Sequence, residues 1–377
     1  MNRRTFLAAA SSAVASSALA APVPKPTPVY DLLVVEFAVE PGKAVVNGKR
    51  LVRVRVADGT AAKPVMVAKL GDELFTPTGA YRLHTDCYVL TWKAAVIDLT
   101  TDKVVHQPAG AELLAADGGR VLYRVDGPKA KAGVFAFDLA KQTAAKLDDP
   151  GVWGVTGTRS PDGTRVVAPG RAGDLVVYSA GTDPVSLGRG YRVDFSPLSS
   201  VFSPPPVLWL DDKRVLTQTA NGRLVAVDVA DGKQGEVIDA AAKKEVISLP
   251  RLWRDAEGNI LYDCDAGVSR IDLKAGKAKE YDWHQLGHGF EASVAADPTD
   301  GHTFRHNGKE IGKGFGDVLG AAAAPGLLAY VGWPQRDSKK AHVRSLDDDE
   351  TRVWCASAGK WLTPPLKAES LVGWVKG

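Results

Sequence analysis

Along much of the chain, apolar and polar residues alternate for five or six positions, reach an Asp, and turn. "LVAVDVADGK" (224–233) and "VSRIDLKAGK" (268–277) show the form with Asp, Gly and Lys in register. "AAVIDLTTDK" (94–103), "VFAFDLAKQT" (134–143) and "LVVYSAGTDP" (175–184) follow it. "LVRVRVADGT" (51–60) repeats its end with Arg55 in place of the Asp, and "AHVRSLDDDE" (341–350) is a weaker copy. Alternation with period two suits a pleated strand and gives no helical face. The residue before the anchor is large and apolar: Ile97, Phe137, Tyr178, Val227 and Ile271. One position earlier, on the opposite face, come Val96, Ala136, Val177 and Ala226, with Arg270 the exception. Both faces of such a strand need cover. The turn that follows supplies a residue that tolerates positive φ, as a tight hairpin requires.

The anchors Arg55, Asp98, Asp138, Ser179, Asp228, Asp272 and Ser345 recur mostly at about 40–45 residues, the period of a repeat array. The last gap is close to twice the others and hides a degenerate copy around "TFRHNGKEIGKG" (303–314). The long interval before Asp228 holds a Pro-rich insertion, "SPLSSVFSPPP" (196–206), a candidate contact loop. Trp209 and Trp253 share the offset of Asp228 and Asp272, which marks them as inter-blade wedges rather than the lining of a ligand groove. Each unit reads as a four-stranded antiparallel blade. Such a blade cannot bury both faces alone, but blades stacked radially cover one another. The predicted fold is therefore all-β: a β-propeller of four-stranded antiparallel blades over residues 29–377. The anchors give seven blades, or eight if segment 29–69 and the tail 359–377 build one together. First and last strands paired in one sheet would lock the ring and remove its open edges.

Two motif types carry a family resemblance. "RSPDGTRVV…GDLVVYSAG" (159–181) resembles the repeat of TolB-like propellers, and "VAVDVADGK" is similar to the repeats of YVTN and quinoprotein-type propellers. The likeness to this WD40-like superfamily spans roughly residues 70–355. No copy carries the Trp-Asp pair of true WD40 repeats, and none follows Gly-Lys with the docking Trp of quinoprotein blades. The resemblance implies the fold and leaves function open.

The first twenty residues stand apart. "MNRRTFLAAASSAVASSALA" has a basic start, an Ala-rich apolar stretch and a small-x-small site at Ala18-Leu19-Ala20. Arg3-Arg4-Thr5-Phe6-Leu7 resembles a twin-arginine (Tat) export signal, with Asn2 and Ala8 as departures; an ordinary secretory signal is the alternative. Residues 1–20 are thus expected to be a signal peptide and 21–28 ("APVPKPTP") a stiff spacer. The mature chain is expected in the periplasm or secreted. No later stretch gives eighteen consecutive apolar residues, so no membrane span is expected.

The whole chain has 47 Lys+Arg against 44 Asp+Glu, a net charge of +3. Loss of Arg3 and Arg4 with the signal would leave about +1, which lacks the broad positive field of a nucleic-acid binder. Cys87, Cys264 and Cys355 are odd in number, widely spaced and read as buried thiols.

Four histidines fall within 283–306: His284, His288, His302 and His306, with Glu291 and Asp297 among them. Imidazoles and carboxylates are good ligands for zinc and related ions, which makes the four histidines candidates for a divalent metal. On strands, however, the His-x-x-x-His spacing sets the members of a pair about 13 Å apart, too far for one ion. "SLDDDETR" (345–352) crowds carboxylates and reads as a solvated hairpin tip ahead of a calcium loop. No cofactor is expected. Gly-x-Ser-x-Gly and phosphate-loop patterns are absent. The sequence reads as an exported, monomeric, non-enzymatic binding or scaffold module for a protein or polysaccharide partner. The alternative is a lactonase-, lyase- or hydrolase-like propeller enzyme with a polar, metal-assisted site at the central channel.

Overall fold

Strand pairing follows the repeat. The computed structural model describes residues 29–39, 46–70, 81–116, 119–128, 132–147, 157–162, 164–170, 173–179, 182–191, 207–238, 251–255, 257–264, 267–293, 301–314, 317–333, 350–364 and 368–377. The signal, the spacer, the insertion 196–206, Asp297 and residues 345–349 of the acidic run lie outside them. Among the described residues the one helical turn is the 3₁₀ segment Thr85–Cys87, and no helix is long and apolar enough to cross a membrane.

Seven blades are contiguous in the chain. Blade 1 is Tyr81–His84, Tyr88–Thr91, Val96–Asp98 and Lys103–His106; blade 2 is Ala111–Ala116, Arg120–Val125, Gly133–Asp138 and Thr143–Lys146. Blade 3 is Thr158–Arg159, Arg165–Pro169, Asp174–Ser179 and Val185–Arg189; blade 4 is Val207–Trp209, Arg214–Gln218, Leu224–Asp228 and Gln234–Ile238. Blade 5 is Arg251–Arg254, Ile260–Cys264, Gly267–Asp272 and Lys277–Glu280; blade 6 is Trp283–Gly287, Phe290–Ser293, Thr303–His306 and Lys309–Lys313. Blade 7 is Asp317–Ala324, Leu327–Trp333, Glu350–Cys355 and Lys360–Leu362. All pairs are antiparallel, and first strands of successive blades pack beside one another from blade 3 to blade 5 and from blade 6 through the closing strand Ala368–Lys376 to blade 1.

The eighth blade closes the ring from both chain ends. Ala368–Lys376 is its inner strand and pairs antiparallel with Tyr30–Val39, which pairs with Val46–Ala57. Val65–Leu70 and the short Thr60–Ala61 both lie on Val46–Ala57. Of the two counts open in the sequence, the structure takes eight.

Alternation sends neighbouring residues to opposite seams. Val225 and Val227 of blade 4 join blade 3 residues Val167, Leu175 and Val177, while Leu216 and Leu224 join Leu252, Tyr262 and Ile271 of blade 5. Ile97 packs toward the closing blade and Val96 toward blade 2. A wedge with apolar residues on both faces is buried only between two others.

The repeated Asp has a local task. Its carboxylate accepts the backbone N–H two residues on, an Asx turn that sets the outer hairpin. Asp98 accepts from Thr100 N (2.8 Å), Asp138 from Ala140 N (3.0 Å), Asp228 from Ala230 N (2.8 Å) and Asp272 from Lys274 N (2.9 Å). The backbone N–H of Lys141 is the largest of the influences that hold the Asp138 carboxyl below its ordinary pKa. Arg55, the exception, lies opposite Asp31 on the neighbouring strand and binds it through Nε (3.0 Å) and Nη2 (3.2 Å). Arg53 adds a bond to Asp31 and carries the contact across the seam to Leu99 O (2.7 Å) and Asp102 (2.7 Å). Asp31 is buried, and both guanidinium groups neutralise it.

One assignment from the sequence is corrected. The last outer hairpin is not at 341–350 with Ser345 as anchor; the third strand of blade 7 is Glu350–Cys355, with Cys355 in the anchor place and Gly359-Lys360 after it. The acidic run imitates a polar turn, whereas the true strand ends on a thiol. Cys87 and Cys355 are both free, but of these two only Cys355 is buried, Cys87 being half-buried at the end of the 3₁₀ turn.

Trp209 is a wedge as read: it is buried, and its indole N–H donates to Thr158 O of blade 3 at 2.8 Å. Trp361 and Trp374 do the same toward Ile311 O (2.9 Å) and Ala322 O (3.0 Å) of the preceding blades. Trp253 is half-buried and faces forward, 6.3 Å from the ring of His284 in blade 6.

The seam between blades 1 and 2 holds a titratable ring. His106 stacks on Phe137 at 4.1 Å with Tyr123 at 5.0 Å, and its buried Nε2 has no hydrogen-bond partner among the described residues. Burial lowers its pKa. The unfolded chain takes up this proton near pH 6.5 and the folded seam resists it, so the stability it contributes is full above that pH and falls as pH drops toward the folded value. Urea melts between roughly pH 7 and 5 should therefore show a shallower loss of stability for His106→Phe than for the native chain. Equal slopes would mean that this ring is not what titrates.

Candidate functional site

The four histidines singled out in the sequence are spread along blade 6. His284 lies on the inner strand opposite Ala292; His288 sits exposed in the next turn with φ 53°. His302 Nδ1 is 2.7 Å from Ser293 O, and His306 ends the third strand, stacked on Phe290 at 4.2 Å. Glu291 accepts from Gln285 Nε2 at 2.7 Å, and the Arg305 guanidinium lies 3.6 Å from the centre of the Trp283 ring. Among the described residues no group of three or more His, Cys, Asp or Glu comes together in a way that could hold a metal. The pleat explains the dispersal: each imidazole takes the direction of its own strand or turn. The inner strand Trp283–Gly287 is half-buried along its whole length.

A cleft of about 370 Å³ opens elsewhere, at the seam between the closing blade and blade 1. Its walls are Lys69 and Leu70 from the closing blade, Tyr81, Trp92, Lys93, Ile97 and Val104 from blade 1, and Gln107–Gly110 leading to blade 2. These positions share a face by topology. In an antiparallel blade the turn from second to third strand and the link from fourth strand to the next blade leave the same side. Leu70 ends a fourth strand, Tyr81 begins a first strand, Trp92-Lys93 form a second-to-third turn, and 107–110 are a link. The strands that flank the Pro-rich insertion, Val185–Arg189 and Val207–Trp209, end and begin on this face too.

The Trp92 turn is tightly held. Ala94 N donates to Thr91 O (2.9 Å), Ala95 N to Thr91 Oγ1 (3.1 Å), and Leu113 N of blade 2 to Trp92 O (2.8 Å). Ala94 adopts φ 59°, a left-handed value that Ala takes only when its surroundings impose it. Those bonds fix the main chain that carries the indole to the cleft wall, with Lys93 Nζ 4.9 Å from its ring centre. The lining thus combines an indole, a buried phenol, aliphatic groups and two lysines, and no carboxylate lines it among the described residues. It suits a ligand that presents negative charge beside a flat or apolar surface. Sequence reasoning missed the cleft because its parts come from four separate stretches of chain.

Neither a protein-family model nor a curated protein matches the chain. Among solved structures it is similar to BamB from Moraxella catarrhalis at 13% identity and a TM-score of 0.40, over 78% of this chain and 89% of that one. It is also similar to the computationally designed Ika8 protein, at 13% identity and a TM-score of 0.42 over 80% and 93% of the two chains. A third is a Mycobacterium tuberculosis puromycin-hydrolyzing peptidase, at 12% identity and a TM-score of 0.42 over 90% of this chain and 52% of that one. Likeness at this level does not transfer a function.

Proposed function

We propose that this propeller is an exported binding module whose partner enters the cleft between the closing blade and blade 1. The observation that carries the reading is the lining itself: Trp92 stands on a turn held by backbone bonds, and Lys69 and Lys93 flank an apolar wall. Rigid aromatic anchors beside placed charges are the usual makings of a recognition site. The ring supplies a stiff frame, since every blade is gripped on two sides.

Reversal of both charges is the direct test. The Lys69→Glu/Lys93→Glu protein is expected to melt within about two degrees of the native chain, because these are rim substitutions. Its capture of a partner from extract of the source cells should fall at least about tenfold, the change that loss of 1.4 kcal/mol produces. Undiminished capture by the double variant would remove the cleft as the site.

Export is part of the proposal and rests on residues 1–20. Arg3→Lys/Arg4→Lys is expected to leave the chain unprocessed and inside the cell, seen by immunoblot of fractions. Normal processing of that variant would favour an ordinary secretory route.

A further inference from the structure

On the reading that the cleft is the binding site, we infer that its occupant is an extended peptide segment, with apolar side chains followed by a carboxylate, docked along the outer strand Val65–Leu70. The outer strands of a propeller are exposed edges, and natural sheets guard such edges with charge. Blades 1, 2, 5, 6 and 7 do so with Lys103, Lys146, Lys277, Lys309 and Lys360. Val65–Leu70 carries Lys69 near its end but begins with an uncovered apolar pair: Val65 is 60% exposed and Met66 50%. Val104, 37% exposed, belongs to the adjacent outer strand of blade 1 and lines the cleft. Three of the four large hydrophobic residues that stand exposed among the described residues therefore lie on two neighbouring outer strands, one on each side of this seam, and the fourth, Val185, is on blade 3.

Backbone and charge identify the ligand class. One edge of Val65–Leu70 pairs with Lys49–Arg53, and no other described strand pairs with it. An extended peptide can use such an edge by strand addition, main chain to main chain, with alternate side chains selecting the sequence. Lys69 stands three residues beyond Met66, about 10 Å along the strand, where the cleft with Trp92 and Lys93 begins. A peptide whose apolar residues cover Val65, Met66 and Val104 would set its carboxylate against these lysines. Aliphatic side chains and a strand edge offer little to a sugar, whose hydroxyls want polar partners.

The probe is a phage-displayed random dodecapeptide library, panned on the full chain. Enriched peptides should carry apolar residues with an acidic residue beyond them. A synthetic copy of one should bind Met66→Lys and Lys69→Glu at least tenfold more weakly than the native protein, while Val185→Lys binds it unchanged. Met66→Gln repeats the test should the Lys variant melt lower. No enrichment, or binding by both Met66 variants as tight as by the native protein, overturns the proposal. Polygalacturonate bound in a manner that needs Lys69 and Lys93 but ignores Met66 overturns the peptide and leaves the cleft as an anion site. Binding of neither probe, with a partner still captured through the lysines, also overturns it.

Discussion

Deleting residues 368–377 is expected to leave a chain with no cooperative urea transition. The lost strand is the inner strand of the closing blade, and Tyr30–Glu36 pairs with it residue by residue, as in Leu32 with Trp374 and Val35 with Ser370. Its removal uncovers Leu32 and Val34 on the blade 7 side and Leu33 and Val35 on the blade 1 side, all fully buried in the intact ring. Trp374, Val375 and the indole bond to Ala322 O disappear with it. Each buried aliphatic or aromatic side chain so affected represents about 1.5–3 kcal/mol, and several together match the whole stability of a typical fold, about 5–15 kcal/mol. Two unpaired strand edges would also invite aggregation. Circular dichroism and light scattering read the result; a truncated chain with a near-native midpoint would mean that the ring does not depend on its last strand.

The second large effect is expected at Phe304. Its ring is fully buried at the seam between blades 6 and 7, stacked on Tyr330 at 4.9 Å and edge-on to Trp361 at 5.9 Å. Phe304→Ala removes the ring from a place where three aromatics hold one another and two rigid sheets cannot collapse inward. About 3–5 kcal/mol should be lost, and Phe304→Leu should lose much less. The same ring can be struck from outside: a Cβ on Gly314 would stand 2.5 Å from Phe304 Cε2, so Gly314→Ala should also destabilise. The urea midpoints of the three variants decide it. A Phe304→Ala protein as stable as native would mean that the seam can repack.

How much of this was legible depended on whether a position does a local job. Asp98, Asp138, Asp228 and Asp272 each close their own hairpin, so the residue recurs wherever the hairpin does. Blade 6 was hidden because its outer hairpin dispenses with that Asp: Asn307 and Gly308 turn the chain with φ 51° and 74°, a two-residue turn that needs no side-chain clasp. Blade 7 was misread because Cys355 fills the anchor place. Arg55 looked like a lapse in the repeat until Asp31 appeared opposite it, a pairing fixed by register between strands and invisible in either stretch alone. The cleft is harder still. Lys69, Tyr81, Trp92 and Gln107 meet only because blades are wedged side by side. The clue available in sequence was small: an outer strand that opens with Val65-Met66 where those of blades 1, 5, 6 and 7 place lysine.

Native-state hydrogen exchange, followed strand by strand, bears most directly on the closed ring. If the two chain ends share one sheet, amides of Tyr30–Glu36 and Ala368–Lys376 exchange as slowly as those of Arg120–Val125 and Ile260–Cys264 and open only with the whole molecule. Fast exchange of Ala368–Lys376 while the inner blades stay protected would show an open ring, and the closing seam and its cleft would have no fixed form.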